Sequence, residues 1–288
     1  MDTIDLAYVG RGIHEELIAT IADQEGYFAD EGLHVALRDG TGWDAERLRS
    51  SATIGLGRAV VERLTQGPAW QVLSVNTHRP LFWFLGNASV ATMADLRGRR
   101  LAVHGAHTPP GCFARIVLRQ YGLDPDHDVI CLPRHPGDYQ MDVRRLRDGS
   151  IDAAYVGSTL GPEQVAAEEG FHVLAWVGDH FQIPTVGIAV DPTHHAVDSA
   201  VAQALVRANQ RALHLLAATP DRAVAYLQSF LNRLTQPEAQ QLFDHYIGPH
   251  YTQSGEVDHS LVQEAVDAVA AELQVPSVSA DEIYQFSS

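Results

Sequence analysis

The 288 residues include only two cysteines, Cys112 and Cys131, too few for a disulfide framework or a zinc ribbon. They read as ordinary reduced thiols. Long apolar runs are missing too: none approaches the roughly 20 residues that a bilayer-spanning helix needs. Membrane insertion is therefore not expected. Basic charge is scarce, with 20 Lys and Arg against 36 Asp and Glu and a formal charge of −16. That field opposes general binding to nucleic acid or anionic membranes, while leaving room for a local basic pocket. Internal repeats, low-complexity stretches and long linkers are lacking as well. The start, Met1-Asp2-Thr3-Ile4-Asp5, carries neither the basic nor the apolar segment of an export signal. With Met1 as the native start the protein is expected in the cytoplasm; as a trimmed mature form it is expected in the periplasm or outside the cell.

What is present is the composition of a folded domain. A hydrophobic fraction of 45% with 19% charged residues suits a large buried core and not disorder. Ile4 to Val9 reads as a strand, and Leu17, Ile18, Ile21 and Ala22 recur at helical spacing before Gly26. Strands follow at Leu33–Leu37, Ala52–Leu56 and from Val72, with a helix around Ala59, Val60 and Leu64. The pattern restarts near Leu81. Strands at Leu101–Val103, Ile130–Leu132 and Ala153–Val156 alternate with helices around Phe113–Tyr121 and Val143–Leu146. Val173–Trp176 and Val186–Val190 are expected to complete a second sheet. Beyond Asp191 the chain is mostly helical, with Thr219-Pro220-Asp221 as a helix start and Leu261 to Leu273 as an apolar stripe. Strand–helix alternation of this kind predicts an α/β fold with largely parallel sheets.

Three stretches add a family likeness: Gly26-Tyr27-Phe28 to Leu33-His34-Val35, Asp95-Leu96-Arg97-Gly98 into Leu101-Ala102-Val103, and Leu146 to Ala154. The first resembles a "GYF-x-x-x-GL" segment and the last an "L-x-x-G-x-I-D-A" element. In that order they resemble the type II periplasmic-binding-protein superfamily, in particular its SsuA/THI5-like receptors for nitrate, taurine, sulfonates and thiamine pyrimidines. The likeness covers roughly residues 4 to 230 and specifies fold far better than ligand. It implies a two-lobed protein, one lobe from residues 1–80 plus 190–288 and the other from 81–189. Crossings near Leu81-Phe82-Trp83-Phe84 and Thr185-Val186-Gly187 would form the hinge. The expected partners are a small molecule and an ABC transporter permease. One departure stands in the first lobe, where Arg49 to Gly57 lacks the acid of the family's "G-x-x-D" turn.

The same resemblance extends to enzymes on this scaffold: a thiamine-pyrimidine synthase, a biphenyl-sulfinate desulfinase and a menaquinone-pathway dehydratase. Two functions are therefore carried forward. One is a small-molecule binding protein for an anionic or aromatic organic ligand. The other is a cytoplasmic lyase or hydrolase, with a cleft histidine as acid/base and an arginine as substrate anchor. Fold alone does not choose between them.

Five of the fifteen histidines fall in loops expected at the cleft: His14, His78, His104, His107 and His180. Imidazole suits proton transfer near neutral pH, ligand hydrogen bonding and metal ligation. His104-Gly105-Ala106-His107 lacks the Glu of a helical His-Glu-x-x-His site, and no metal or other cofactor is assigned. Arg11, Arg58 and Arg79 follow strands, where a guanidinium either grips an anionic ligand or serves a surface ion pair. Trp43, in a polar Gly-Thr-Gly-Trp-Asp loop, is a candidate stacking surface. Tyr155, Ser158 and Thr159 end a strand, where hydroxyls meet the cleft; Ser158-Thr159 reads equally as a cap for the following helix. Cys112 sits near a helix N-terminus, a setting that either activates a thiol or simply buries it. The desulfinase likeness lends it no direct support, since that family's cysteine lies in the loop that here runs from Arg11 to His14.

Overall fold

The structure, a computed structural model, describes residues 3–10, 12–54, 58–67, 69–135 and 139–285. The chain begins with β1 (Thr3–Tyr8) and runs into α1 (Ile13–Gln24), whose Ile13, Leu17, Ile18 and Ile21 are all buried. Gly26, at φ 73°, takes the left-handed turn that ends α1 and opens the short α2 (Tyr27–Asp30). This is the physical content of the GYF segment: a glycine turn, then Phe28 driven into the core. β2 (His34–Asp39), α3 (Ala45–Arg49), β3 (Ala52–Ile54), α4 (Arg58–Leu64) and β4 (Gln71–Thr77) follow.

The chain then crosses into β5 (Phe82–Gly86), β6 (Arg100–Val103), α5 (Pro109–Gln120), β7 (Ile130–Pro133), α6 (Tyr139–Arg147) and β8 (Ala153–Gly157). After α7 (Pro162–Glu169), β9 (His172–Trp176) and α8 (Val177–His180) it returns through β10 (Thr185–Val190). Helices α9 (Ala200–Ala218), α10 (Pro220–Phe230), α11 (Gln236–Leu242) and α12 (His259–Leu273) complete the chain.

Two five-stranded sheets result, ordered β2-β1-β3-β10-β4 and β7-β6-β8-β5-β9. This is the two-lobed α/β architecture, with corrections to the sequence reading. Val186–Val190 does not belong to the second sheet. It lies between β3 and β4 of the first, antiparallel to both. Apolar alternation looks the same whichever sheet a strand joins; the partner is set by the chain path. The backbone N–H of Ile183 donates to the His78 carbonyl at 2.9 Å, so the returning segment runs beside the outgoing one. The first crossing is likewise shorter than expected, because Phe82 already pairs with Gly157. Each sheet therefore mixes parallel strands with an antiparallel one, β10 in the first and β5 in the second.

The motif at the end of α6 has a clear physical role. Gly149 turns the chain at φ 75°, and Asp152 then clamps the start of β6. Its carboxylate accepts from the Arg100 backbone N–H, Nε and Nη2, each at 2.9 Å. A buried polar knot ties the hinge strand to its neighbours: Asn209 donates to Ser74 and Asn76, and Asn76 donates to the His14 carbonyl. All three side chains are buried, so satisfying them fixes the register of α9, β4 and α1. At the start of α10, the Thr219 hydroxyl donates back to the Leu215 carbonyl at 2.7 Å and does not cap the helix as expected.

Candidate functional site

A cleft of about 650 Å³ opens between the lobes. Its walls come from the carboxyl ends of parallel strands, where open α/β sheets present ligand sites. Val9 and Gly10 follow β1 and Asp39 ends β2; His14 and Glu15 sit in the first turn of α1. From the second lobe come Phe82, His104 after β6, Arg134 after β7, Tyr139 opening α6, and Gly157, Ser158 and Thr159 at the end of β8. Phe230, the last residue of α10, and Leu231 to Arg233 after it complete the lining. A wider depression over α9 is a shallow surface in which Arg207, Arg211 and Arg222 already pair with Glu31, Asp30 and Glu25.

The cleft surface mixes apolar with polar groups, and Glu15, Asp39, Arg134 and Arg233 are its acidic and basic residues. His14 is 2% exposed and its ring lies 5.4 Å from that of Phe82. Burial pushes its pKa down to about 3, so the ring is neutral. Its 3.9 Å approach to Glu15 is accordingly a contact between a neutral ring and a carboxylate, not an ion pair. His104 is also held near 3, by burial first and then by the positive charge of Arg134. Tyr139 places its hydroxyl 3.3 Å from His104 Nε2, and burial raises that phenol well above its ordinary range. Among the described residues, Nδ1 of both imidazoles lacks a hydrogen-bond partner.

Arg134 supplies positive charge to the second-lobe wall. Its guanidinium stands 4.2 Å over the Tyr139 ring, with Nε 4.0 Å from the buried Asp142 carboxylate. Asp142 is held in turn by Arg145 at 2.9 Å. A cation parked on an aromatic face, 4.0 Å from a buried acid that Arg145 holds more closely, is positioned for anion contact.

The structure gathers His14, His104, Ser158 and Thr159 at the cleft and sends the other candidates elsewhere. Tyr155 is wholly buried beneath the wall, stacked on Phe82 at 5.1 Å. Ser158 does not cap α7, which starts from Gly161; its Oγ accepts from the Ile13 backbone N–H at 2.8 Å. His78 accepts from the Asp258 backbone N–H at 3.0 Å, behind the hinge. His180 pairs with the Tyr121 hydroxyl at 2.9 Å on the surface, and His107 is exposed outside the lining. Arg58 is engaged by Glu62 one turn along α4, and Arg79 by Asp179. Trp43 is covered by the Arg47 guanidinium at 3.8 Å. Arg11 lies outside the described residues.

Cys112 is corrected most sharply. It is fully buried, and burial, reinforced by Glu272, pushes its thiol up to about 12. A helix N-terminus does not activate a thiol that water cannot reach. Among the cleft residues that went unread in the sequence are Glu15, Asp39, Arg134 and Tyr139. The rule that selected His104 finds two of them, since Arg134 follows β7 directly and Asp39 is the last residue of β2. Among the described residues, no group of three or more His, Cys, Asp or Glu side chains is arranged to hold a metal ion.

Comparison with known proteins adds context to this geometry. The model of the family described as NMT1/THI5 like matches residues 16–223. No curated protein matches the sequence. Among solved structures, the alkanesulfonate-binding protein SsuA from Xanthomonas axonopodis pv. citri, bound to MOPS, is similar at a TM-score of 0.75 and 14% identity, covering 98% of each chain. The periplasmic aliphatic sulphonate binding protein SsuA from Escherichia coli gives 0.70 and 17% identity over 96% of this chain and 94% of its own. The desulfurization enzyme DSZB gives 0.74 and 15% identity over 97% and 95%. At these identities the likeness is one of fold.

Proposed function

Because this chain belongs to the NMT1/THI5 like family, we propose that it is a small-molecule receptor of the ABC-importer type, closing two lobes over an anionic or aromatic organic ligand such as a sulfonate. The single observation that carries this reading is the cleft itself. Strand ends from both sheets converge on about 650 Å³, a volume that suits a small organic molecule. Arg134 over Tyr139 supplies an anion contact, Phe82 an aromatic face, and the neutral histidines hydrogen bonds. Lobe units of 1–80 plus 190–288 and 81–189, amended so that all of β10 (Thr185–Val190) joins the first, are the bodies that would close. An importer permease would be the partner, and the mature protein would work in the periplasm.

A second reading, an enzyme on the same scaffold, draws on the His104–Tyr139 contact and on the fold shared with a desulfurization enzyme. The chemistry weighs against it. Both imidazoles are too weakly basic to act as general bases near pH 7. The buried Cys112 is no nucleophile, and the 288 residues contain no lysine for imine formation.

Thermal-shift and calorimetric titration with taurine, methanesulfonate, MOPS and benzoate separates the two. The receptor reading expects saturable stabilisation by at least one of them, with the compound recovered unchanged. Sulfite release or any other product under the same conditions would reverse it in favour of the enzyme.

A further inference from the structure

The cleft is bridged in this structure by a hydrogen bond between the lobes. Ser158 follows β8 in the second lobe and is buried; Ile13 is the first residue of α1 in the first lobe. The Ile13 backbone N–H donates to Ser158 Oγ at 2.8 Å, across 145 residues of sequence. Helices begin with backbone N–H groups that their own turns leave unpaired, and a side chain just before the helix normally accepts one. Among the described residues α1 has no such group of its own, because Gly12 occupies the cap position and has no side chain to offer. Packing helps to explain the glycine. A Cβ there would fall 3.1 Å from His14 Cε1 and 3.3 Å from Glu15 Oε2. The cap that α1 cannot supply for itself is provided from the opposite lobe.

Two further contacts align this seam. The His14 ring rests on Phe82 of the second lobe, and Asn76 on hinge strand β4 donates to the His14 carbonyl at 3.1 Å. The first turn of α1 is thus held to the hinge on one side and to β8 on the other.

We propose that Ser158 is a positioning residue for ligand capture, a latch whose bond to α1 forms as the lobes come together and biases the cleft toward its shut state. This deepens the receptor reading and rests on it. With the lobes apart, water serves both groups, so the latch contributes only the net value of one buried hydrogen bond. That corresponds to about a tenfold change in the ratio of shut to open molecules. The ligand then fills a cleft already poised to close, and the residue sets affinity without needing to touch it.

The test uses the full-length, ligand-free protein. Small-angle scattering reads lobe separation, and hydrogen exchange reads the first turn of α1, in wild type, Ser158→Ala, Ser158→Cys and Ser158→Thr. Ser158→Ala is expected to enlarge the radius of gyration and speed exchange at Ile13 by about tenfold. Ser158→Thr, which keeps the hydroxyl, should restore wild-type behaviour, and Ser158→Cys, a weaker acceptor, should fall between. Unchanged scattering for both Ala and Cys variants would overturn the latch, including the case where exchange rises only through local loosening. Because no ligand is needed, a cleft that binds none of the sulfonates tested would count against the receptor reading and leave the latch measurement standing.

Discussion

The Tyr139 hydroxyl lies 3.3 Å from His104 Nε2, and Gly157 makes that approach feasible. A Cβ on residue 157 would sit 2.8 Å from the Tyr139 oxygen and 3.1 Å from its ring. One missing methyl group at the end of β8 therefore lets a helix residue lean over the strand and present its phenol to the cleft.

Gly157→Ala should displace Tyr139 and, with it, the Arg134 guanidinium that rests on its ring. The expected effect is a loss of at least about tenfold in affinity for the sulfonate that binds wild type, with thermal stability lowered by overpacking of about 1–3 kcal/mol. Calorimetric titration beside a denaturant curve checks both. Wild-type affinity in the variant would mean that Tyr139 and Arg134 contribute nothing to binding.

Stability should fall with acid in a window set by two histidines. His14 and His104 have pKa values near 3 in the folded chain, against an ordinary 6.5. Between those values the unfolded chain binds more protons, so each histidine's contribution is complete above pH 6.5 and lost progressively as pH drops towards 3. From pH 6.5 to 5 the loss is about 2 kcal/mol per ring, at 1.36 kcal/mol for each pH unit. Urea unfolding at pH 7.5, 6 and 5 should reveal the decline, and His14→Gln should remove about half of it. A flat profile over this range refutes the assignment.

The two thiols should differ in reactivity. Iodoacetamide at pH 8 should modify Cys131 first, slowed because partial burial raises its thiol too, and leave Cys112 untouched until the chain is unfolded, because burial holds the Cys112 thiol near 12. Mass spectrometry of the intact and digested protein reads the outcome. Rapid labelling of Cys112 in the native state would show a site far more open than its packing allows.

Asp152→Asn should weaken the second lobe. It replaces a carboxylate that takes three donors from Arg100 with an amide that accepts fewer and weaker bonds. Arg100 is partly solvated, so about 1–2 kcal/mol is expected, read as a lower urea midpoint with unchanged slope. No change in midpoint would leave the motif's aspartate without a structural role.

Much of the fold was legible because each element carried its own local signal. Gly26 and Gly122 mark helix ends and both adopt positive φ, and the apolar spacing of α1 and α5 matches their buried faces. The placement of β10 was not legible, since Val186 to Val190 alternates identically for either sheet. The site was harder to read for a related reason. Position after a strand selected His104 and Ser158, which line the cleft, but it also selected Arg58 and Arg79, whose acidic partners Glu62 and Asp179 capture them. A residue's neighbours in space decide whether its charge faces a ligand or another side chain. Arg134 escaped notice although it obeys the same rule, and its partner Tyr139 lies in a different element.

The position of β10 also orders events during synthesis. Residues 185–190 form the strand between β3 and β4, so the first sheet stays split while β5 to β9 leave the ribosome as one contiguous unit. The later lobe can thus finish first, and the earlier one waits, with two strand edges open, for its middle strand to be translated.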